Sequence, residues 1–155
     1  DYEFWLRALH AGYRFKKVPE VLFNWRESHN RYTRTAPACT RQAFDLVRAE
    51  YLSKDWRLLQ QRPLVYCGAG RITRKRAELM ISRGFTPSAW VDIDPRKIGN
   101  KLDGIPVVRP EWIMENRASN PFMLIYIASH GARDQLAAWL ETNSFHIGKD
   151  YLAVG

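Results

Sequence analysis

Cysteine is scarce: Cys39 and Cys67 are the only two in 155 residues. They stand in unlike surroundings, which excludes a disulfide framework and points to two free thiols in a reducing compartment. Long apolar runs are lacking too. The longest, "FMLIYIA", is far too short to span a bilayer. No signal peptide can be read, although the chain opens on Asp1 rather than Met and a missing native start would hide one. Internal repeats and low-complexity tracts are absent, which argues against solenoids and disordered tails.

What is present is globular material. Apolar residues make up 46% and charged residues 26%, and 6 Trp, 7 Tyr and 7 Phe supply ample core. The formal charge is +8. Nucleic-acid binding is one reading of that excess, but the cations are spread along the chain and mixed with acids. Their densest cluster is Arg71, Arg74, Lys75 and Arg76, and no zinc finger or RNP-type motif accompanies it. Nucleic acid is therefore disfavoured. A basic rim for phosphorylated substrates, or an anionic membrane face, fits at least as well.

Three segments follow one another. In the first, 1–35, "DYEFWLRALHAGYRF" predicts a helix with Trp5, Ala8 and Leu9 on its apolar side and Gly12 as its stop. "FKKVPEVLFNWR" alternates, which predicts a strand at Val21, Phe23 and Trp25 with Pro19 at its front or on an edge. The second, 36–62, predicts a long linking helix over about 40–60, carried by Phe44, Val47, Tyr51, Leu52, Trp56 and Leu59.

The third segment, 63–155, changes character. Short apolar strands in "PLVYCGAG", "SAWVDIDP", "GIPVV", "PFMLIYIAS" and "DYLAV" alternate with helical stretches in "RKRAELMISRGF", "RPEWI" and "GARDQLAAWLETNSF". That alternation predicts a small doubly wound, mostly parallel α/β sheet. Within it there is no G-x-S-x-G elbow, no C-x-x-C, no H-E-x-x-H or metal-spaced cluster, and no Tyr-x-x-x-Lys pair.

Its one chemical motif is the glycine loop after the first strand. The dinucleotide fingerprint G-x-G-x-x-G is approached by Gly68, Ala69, Gly70, Arg71, Ile72 and Thr73, with Thr in place of the third Gly. The first Gly permits a tight turn and the second lets backbone approach a phosphate. Arg71 at the helix start favours an anion. Asp92, ending the second strand, stands where an acid meets ribose hydroxyls. The candidate cofactor-binding residues are thus Gly68, Gly70, Arg71 and Asp92. The alternative stays open that the glycines only make the turn, while Asp92 and Asp94 cap another before Pro95. His130 follows the strand ending at Ser129, either at the ligand edge of the sheet or as a solvated residue beside a Ser129 helix cap.

The opening stretch, "DYEFWLRALHAGYRFKKVPEVLFNWRESHNRYTR", resembles the end of the catalytic domain of family-2 (GT-A) glycosyltransferases. There a Glu-Asp pair starts an aromatic helix, and a strand and a "WR…H" loop follow. The resemblance implies that 1–35 is the C-terminal remnant of such a domain and that Asp1 is the catalytic base. It further implies that Trp25, Arg26 and His29 approach the donor diphosphate or metal. "VYCGAGRITRKRAELMISRGFTPSAWVDIDPRKIGNKLDGIPVV" is similar to the small Rossmann-like domains found beside sugar O-acyltransferases and some family-2 transferases. In some of those a nucleotide-sugar binds at the glycine loop.

The resemblance implies a parent enzyme that moves a sugar from a nucleotide-sugar donor to a glycan or lipid-linked acceptor. It would do so at the cytoplasmic face of the membrane, in bacterial cell-surface polysaccharide synthesis, using a divalent metal (Mg or Mn) held by an Asp-x-Asp in its donor half. The fragment alone would be inactive. Two competing readings are an NAD(P)- or nucleotide-sugar-dependent Rossmann enzyme and a non-catalytic docking module.

Overall fold

A computed structural model describes residues 1–26 and 28–155, and of His130 the backbone alone. The chain divides into two compact units, Asp1–Tyr51 and Leu52–Gly155.

The first unit is helical. Helix α1 (Tyr2–His10) ends as its sequence requires. Gly12 takes φ +89°, its amide donates to Leu9 O, and the Tyr13 amide donates to Ala8 O. This pair of bonds is a Schellman stop, open to Gly because the left-handed region costs it nothing. A short helix α2 (Tyr32–Thr35) and a 3₁₀ turn at Pro37–Cys39 lead to α3 (Arg41–Leu52). Helix α1 meets α3 edge-on through Tyr2 and Phe44, with ring centroids 5.1 Å apart. Arg48 Nε donates to Tyr2 Oη at 3.0 Å, and Tyr51 Oη donates to the Glu3 carboxylate. The inward side of α1 therefore carries Tyr2 and Leu6. The expected stripe of Trp5 and Leu9 instead lies half exposed, with Trp5 edge-on to Phe15 at 5.1 Å.

Two further expectations for this region are corrected. No strand forms over Val21, Phe23 and Trp25; these side chains are 62–88% exposed. Alternation prepares a strand but cannot supply its partner, and the described residues of this unit contain no second strand to pair with it. The long helix is also broken. It stops at Leu52, and a separate turn of helix, α4 (Trp56–Leu59), begins after Asp55. The Asp55 carboxylate accepts from the Arg57 amide at 2.9 Å and from Arg57 Nε at 2.8 Å. An N-cap with its own cation starts a new helix rather than extending the old one.

The second unit is built on six strands: β1 (Leu64–Cys67), β2 (Ala89–Val91), β3 (Lys101–Leu102), β4 (Ile105–Val108), β5 (Phe122–Ile125) and β6 (Tyr151–Ala153). Their order is β3-β4-β2-β1-β5-β6. All neighbours are parallel except β3, which turns back on β4 through Asp103 and Gly104, both at positive φ. Taken alone, the five parallel strands lie third-second-first-fourth-fifth in chain order, the Rossmann-like arrangement, with the topological switch between β1 and β5.

Every residue of β1 and β5 is buried, as unbroken apolar runs require of central parallel strands. The register Val65↔Met123 and Cys67↔Ile125 turns Val65, Cys67, Met123 and Ile125 to one face. There they join Val91 and Tyr151 under Ile113 of α6 (Glu111–Glu115) and Leu136 and Leu140 of α7 (His130–Thr142). Each such side chain contributes roughly 1.5–3 kcal/mol by leaving water. On the opposite face Tyr66 stands edge-on between Trp90 and Tyr126, at 5.5 and 5.2 Å. Helix α5 (Arg71–Ile81) lies on this side and shares a cleft with Trp90. Neither cysteine is in a disulfide, and burial pushes the Cys67 thiol up to about 12. Among the described residues no helix is long and apolar enough to cross a membrane.

Candidate functional site

Asp1 occupies the N-cap position of α1, and its carbonyl accepts from the Trp5 amide at 3.1 Å. Its carboxylate makes no capping bond and is exposed. Asp is among the best capping residues because its side chain satisfies the first free amides of a helix. Here that use is not taken up, and the carboxylate stays available at the positive end of the helix dipole.

Trp25, Arg26 and His29 are all exposed. The Arg31 guanidinium lies over the Trp25 ring at 4.6 Å, and Phe23 tilts against the same ring at 5.8 Å. A cation on an indole face orders the loop by about 0.5–1 kcal/mol at such a surface position. No hydrogen bond, ion pair or ring contact joins Asp1 to Trp25, Arg26 or His29. The four residues lie in the same unit.

The glycine loop sits at the carboxyl end of β1, next to the switch point. Gly68 has φ +104°, and a Cβ there would meet Thr73 Cγ2 at 3.0 Å and Ile127 Cγ1 at 3.1 Å. The positive φ strains any larger residue, and a Cβ would also crowd these two side chains. The Thr that replaces the third glycine is thus the side chain that packs over the first. Gly70 is different. Its φ is −73°, ordinary for any residue, and a Cβ would find only Thr73 Oγ1 at 3.9 Å. The turn requires Gly68 but does not require Gly70. Helix α5 starts immediately after Gly70 with no side-chain cap, so its first amides face outward, as a phosphate needs.

Asp92 is joined to this loop. Its Oδ2 accepts from the Ala69 amide at 2.8 Å and from Lys97 Nζ at 3.0 Å, and its Oδ1 accepts from the Asp94 amide at 2.9 Å. Burial works against the charged form. The Asp94 and Ala69 amides and Lys97 outweigh it and hold the carboxyl below the usual carboxylate range. Three of its lone-pair sites are thereby filled, so it braces the loop from the end of β2. Asp94 pairs with Arg96 at 3.1 Å and caps the turn before the hairpin. Sequence reading passed over Lys97 and Ala69 in this network; only their nearness to Asp92 and Gly68 in the chain hinted at it.

Arg71 opens α5 and is exposed, with no ion pair. Ser129 holds the N-cap position of α7, where the sequence places a cap, but its side chain makes no cap bond. The side chain of His130 lies outside the described residues. Among the described residues no three His, Cys, Asp or Glu side chains converge on a common point.

No family model, curated protein or solved structure matches this chain.

Proposed function

We propose that the chain is the acceptor-side end of a nucleotide-sugar-dependent glycosyltransferase of the family-2 kind, joined to a Rossmann-like unit. The observation that carries the reading is Asp1: an acid at a helix N-cap whose carboxylate caps nothing. In inverting sugar transfer the acceptor hydroxyl attacks the anomeric carbon. The new C–O bond forms as the bond to the nucleoside diphosphate breaks, and the diphosphate leaves with the electron pair. The hydroxyl proton must go to a base beside it, the role given to the Asp1 carboxylate. The exposed aromatic side chains of the first unit, among them Phe4, Trp5, Phe15 and Phe23, support the same reading. They are the surface that one end of a larger catalytic fold presents to the rest of it.

The test is Asp1→Asn in the complete enzyme, assayed for donor-sugar turnover. A base contributes about 10²–10⁴-fold, so kcat falls by that factor while the donor still binds. Undiminished turnover rejects the assignment.

A second reading rests on Gly70, which the turn does not require but a close-lying phosphate would. It makes the Rossmann-like unit a binder of NAD(P) or a nucleotide-sugar in its own right. Calorimetry with NAD, NADP and a panel of nucleotide-sugars decides it. Absence of heat with every ligand removes it.

A further inference from the structure

The second unit contains a further cleft, which shares only Arg71 with the residues assigned to the glycine loop. In a doubly wound sheet the link from β2 to β4 would ordinarily be a helix lying beside α5. Here that link is a loop followed by the β3–β4 hairpin. Between α5 and the hairpin lies a cleft of about 310 Å³, within the range of small-ligand sites.

Its lining is polarised. Arg71, Arg74, Lys75 and Glu78 recur at helical spacing and share one side of α5. The three cations stand together at the amino-terminal end, and none makes an ion pair or side-chain hydrogen bond. Glu78, one turn further on, and Asp103, at the hairpin tip, supply two acids, also unpaired. Trp90, 3% exposed, and the apolar Ile81 and Leu102 complete the lining. The Nε1 of Trp90 and the Nε of Arg74 are both buried without a hydrogen-bond partner. A buried donor left unmade is costly, and both of these side chains line the cleft.

We infer that this cleft binds a small phosphate ester with a hydroxyl-rich body, the chemistry of a sugar phosphate. Arg71, Arg74 and Lys75 hold the phosphate by charge-assisted hydrogen bonds. Glu78 and Asp103 accept from hydroxyl groups at the other end. The same two carboxylates repel a second phosphate, which disfavours polyphosphates and nucleic acid. The site goes beyond the proposed transfer reaction: it involves no residue of the first unit and stands or falls independently of Asp1.

The experiment follows the indole N–H signals of the ¹⁵N-labelled full chain by NMR. Trp90's signal is identified by its loss in Trp90→Phe or, if that variant does not fold, by sequential assignment. The probes are glucose 1-phosphate, inorganic phosphate and glucose. Glucose 1-phosphate is expected to shift the Trp90 signal saturably and to bind more tightly than inorganic phosphate, while glucose alone leaves the signal in place. Arg74→Ala with Lys75→Ala weakens binding by about tenfold or more. If that double variant does not fold, Lys75→Glu, at an exposed and unpaired position, serves with the same expected loss. A Trp90 signal unmoved by glucose 1-phosphate overturns the inference. So does equal binding by glucose, by inorganic phosphate or by the cation variants.

Discussion

Gly70 belongs to the glycine loop and Asp92 is bonded to it through the Ala69 amide, and a single substitution tests each. Because the folded-state pKa of Asp92 is held below its ordinary value, the group stabilises the fold above the unfolded pKa, about 3.9. That contribution is lost as pH falls through the unfolded value towards the folded one. Asp92→Asn keeps one acceptor but loses the charge facing Lys97 and the Ala69 amide. It should cost about 1–2 kcal/mol near neutral pH. The variant's disadvantage should shrink as pH falls below about 4, where the unfolded chain protonates first and folded wild-type Asp92 follows at lower pH. Urea unfolding between pH 3 and 7 checks both; a cost that does not depend on pH would show that Lys97 and the amides do not sense the charge. Gly70→Ser places a better capping side chain where the backbone already accepts any residue. It should raise stability by a few tenths of a kcal/mol and, on the second functional reading, abolish nucleotide binding. Thermal unfolding and calorimetry on the same sample separate the two effects.

Elements were legible in the sequence to the extent that local chemistry decides them. β1 and β5 could be read because both lie at the sheet centre, where unbroken apolar runs bounded by Pro and Gly have no other stable use. Helix α5 could be read from Arg74 to its stop at Gly84, which takes φ +90°, but it begins three residues earlier, at Arg71. The β3–β4 hairpin was missed although Asp103-Gly104 is a strong two-residue turn signal, because its strand is only two residues long. The strand at Val21, Phe23 and Trp25 was misread because pairing is a tertiary event that alternation does not encode. The linking helix was drawn too long because apolar spacing runs on through Asp55. What breaks it is the bond from the Arg57 amide to the Asp55 carboxylate, together with Arg57 reaching the Gly148 carbonyl at 3.0 Å. Asp55→Ala removes the cap and frees that arginine. A loss of about 1–2 kcal/mol in thermal or urea unfolding is expected, with the sheet intact by circular dichroism. No loss would mean that α4 starts where it does for another reason.

For the molecule as a whole, the two units differ in how much each hides from water, and that difference bears on the functional proposal. Among the described residues of Asp1–Tyr51, Ala49 alone is buried, and α1 has no buried residue at all. The second unit buries all of β1 and β5 and packs both sheet faces. A segment of some fifty residues that buries so little apolar area recovers little of the conformational entropy its folding costs. Its local opening should therefore cost far less than global unfolding of the sheet. Hydrogen exchange read by mass spectrometry should show β1, β2 and β5 protected longest, while α1 exchanges at least about a hundredfold faster, equivalent to some 2.7 kcal/mol or more in opening free energy. If α1 belongs to the acceptor side of a transferase, adding the donor half of the complete enzyme should slow α1 exchange, because Trp5, Leu9 and Phe15 would then be covered, and leave β1 and β5 unchanged. Protection of α1 equal to that of the sheet in the chain alone would mean that the first unit already has all the packing it needs. The case for Asp1 as a base at the edge of a larger catalytic fold would then lose its physical support.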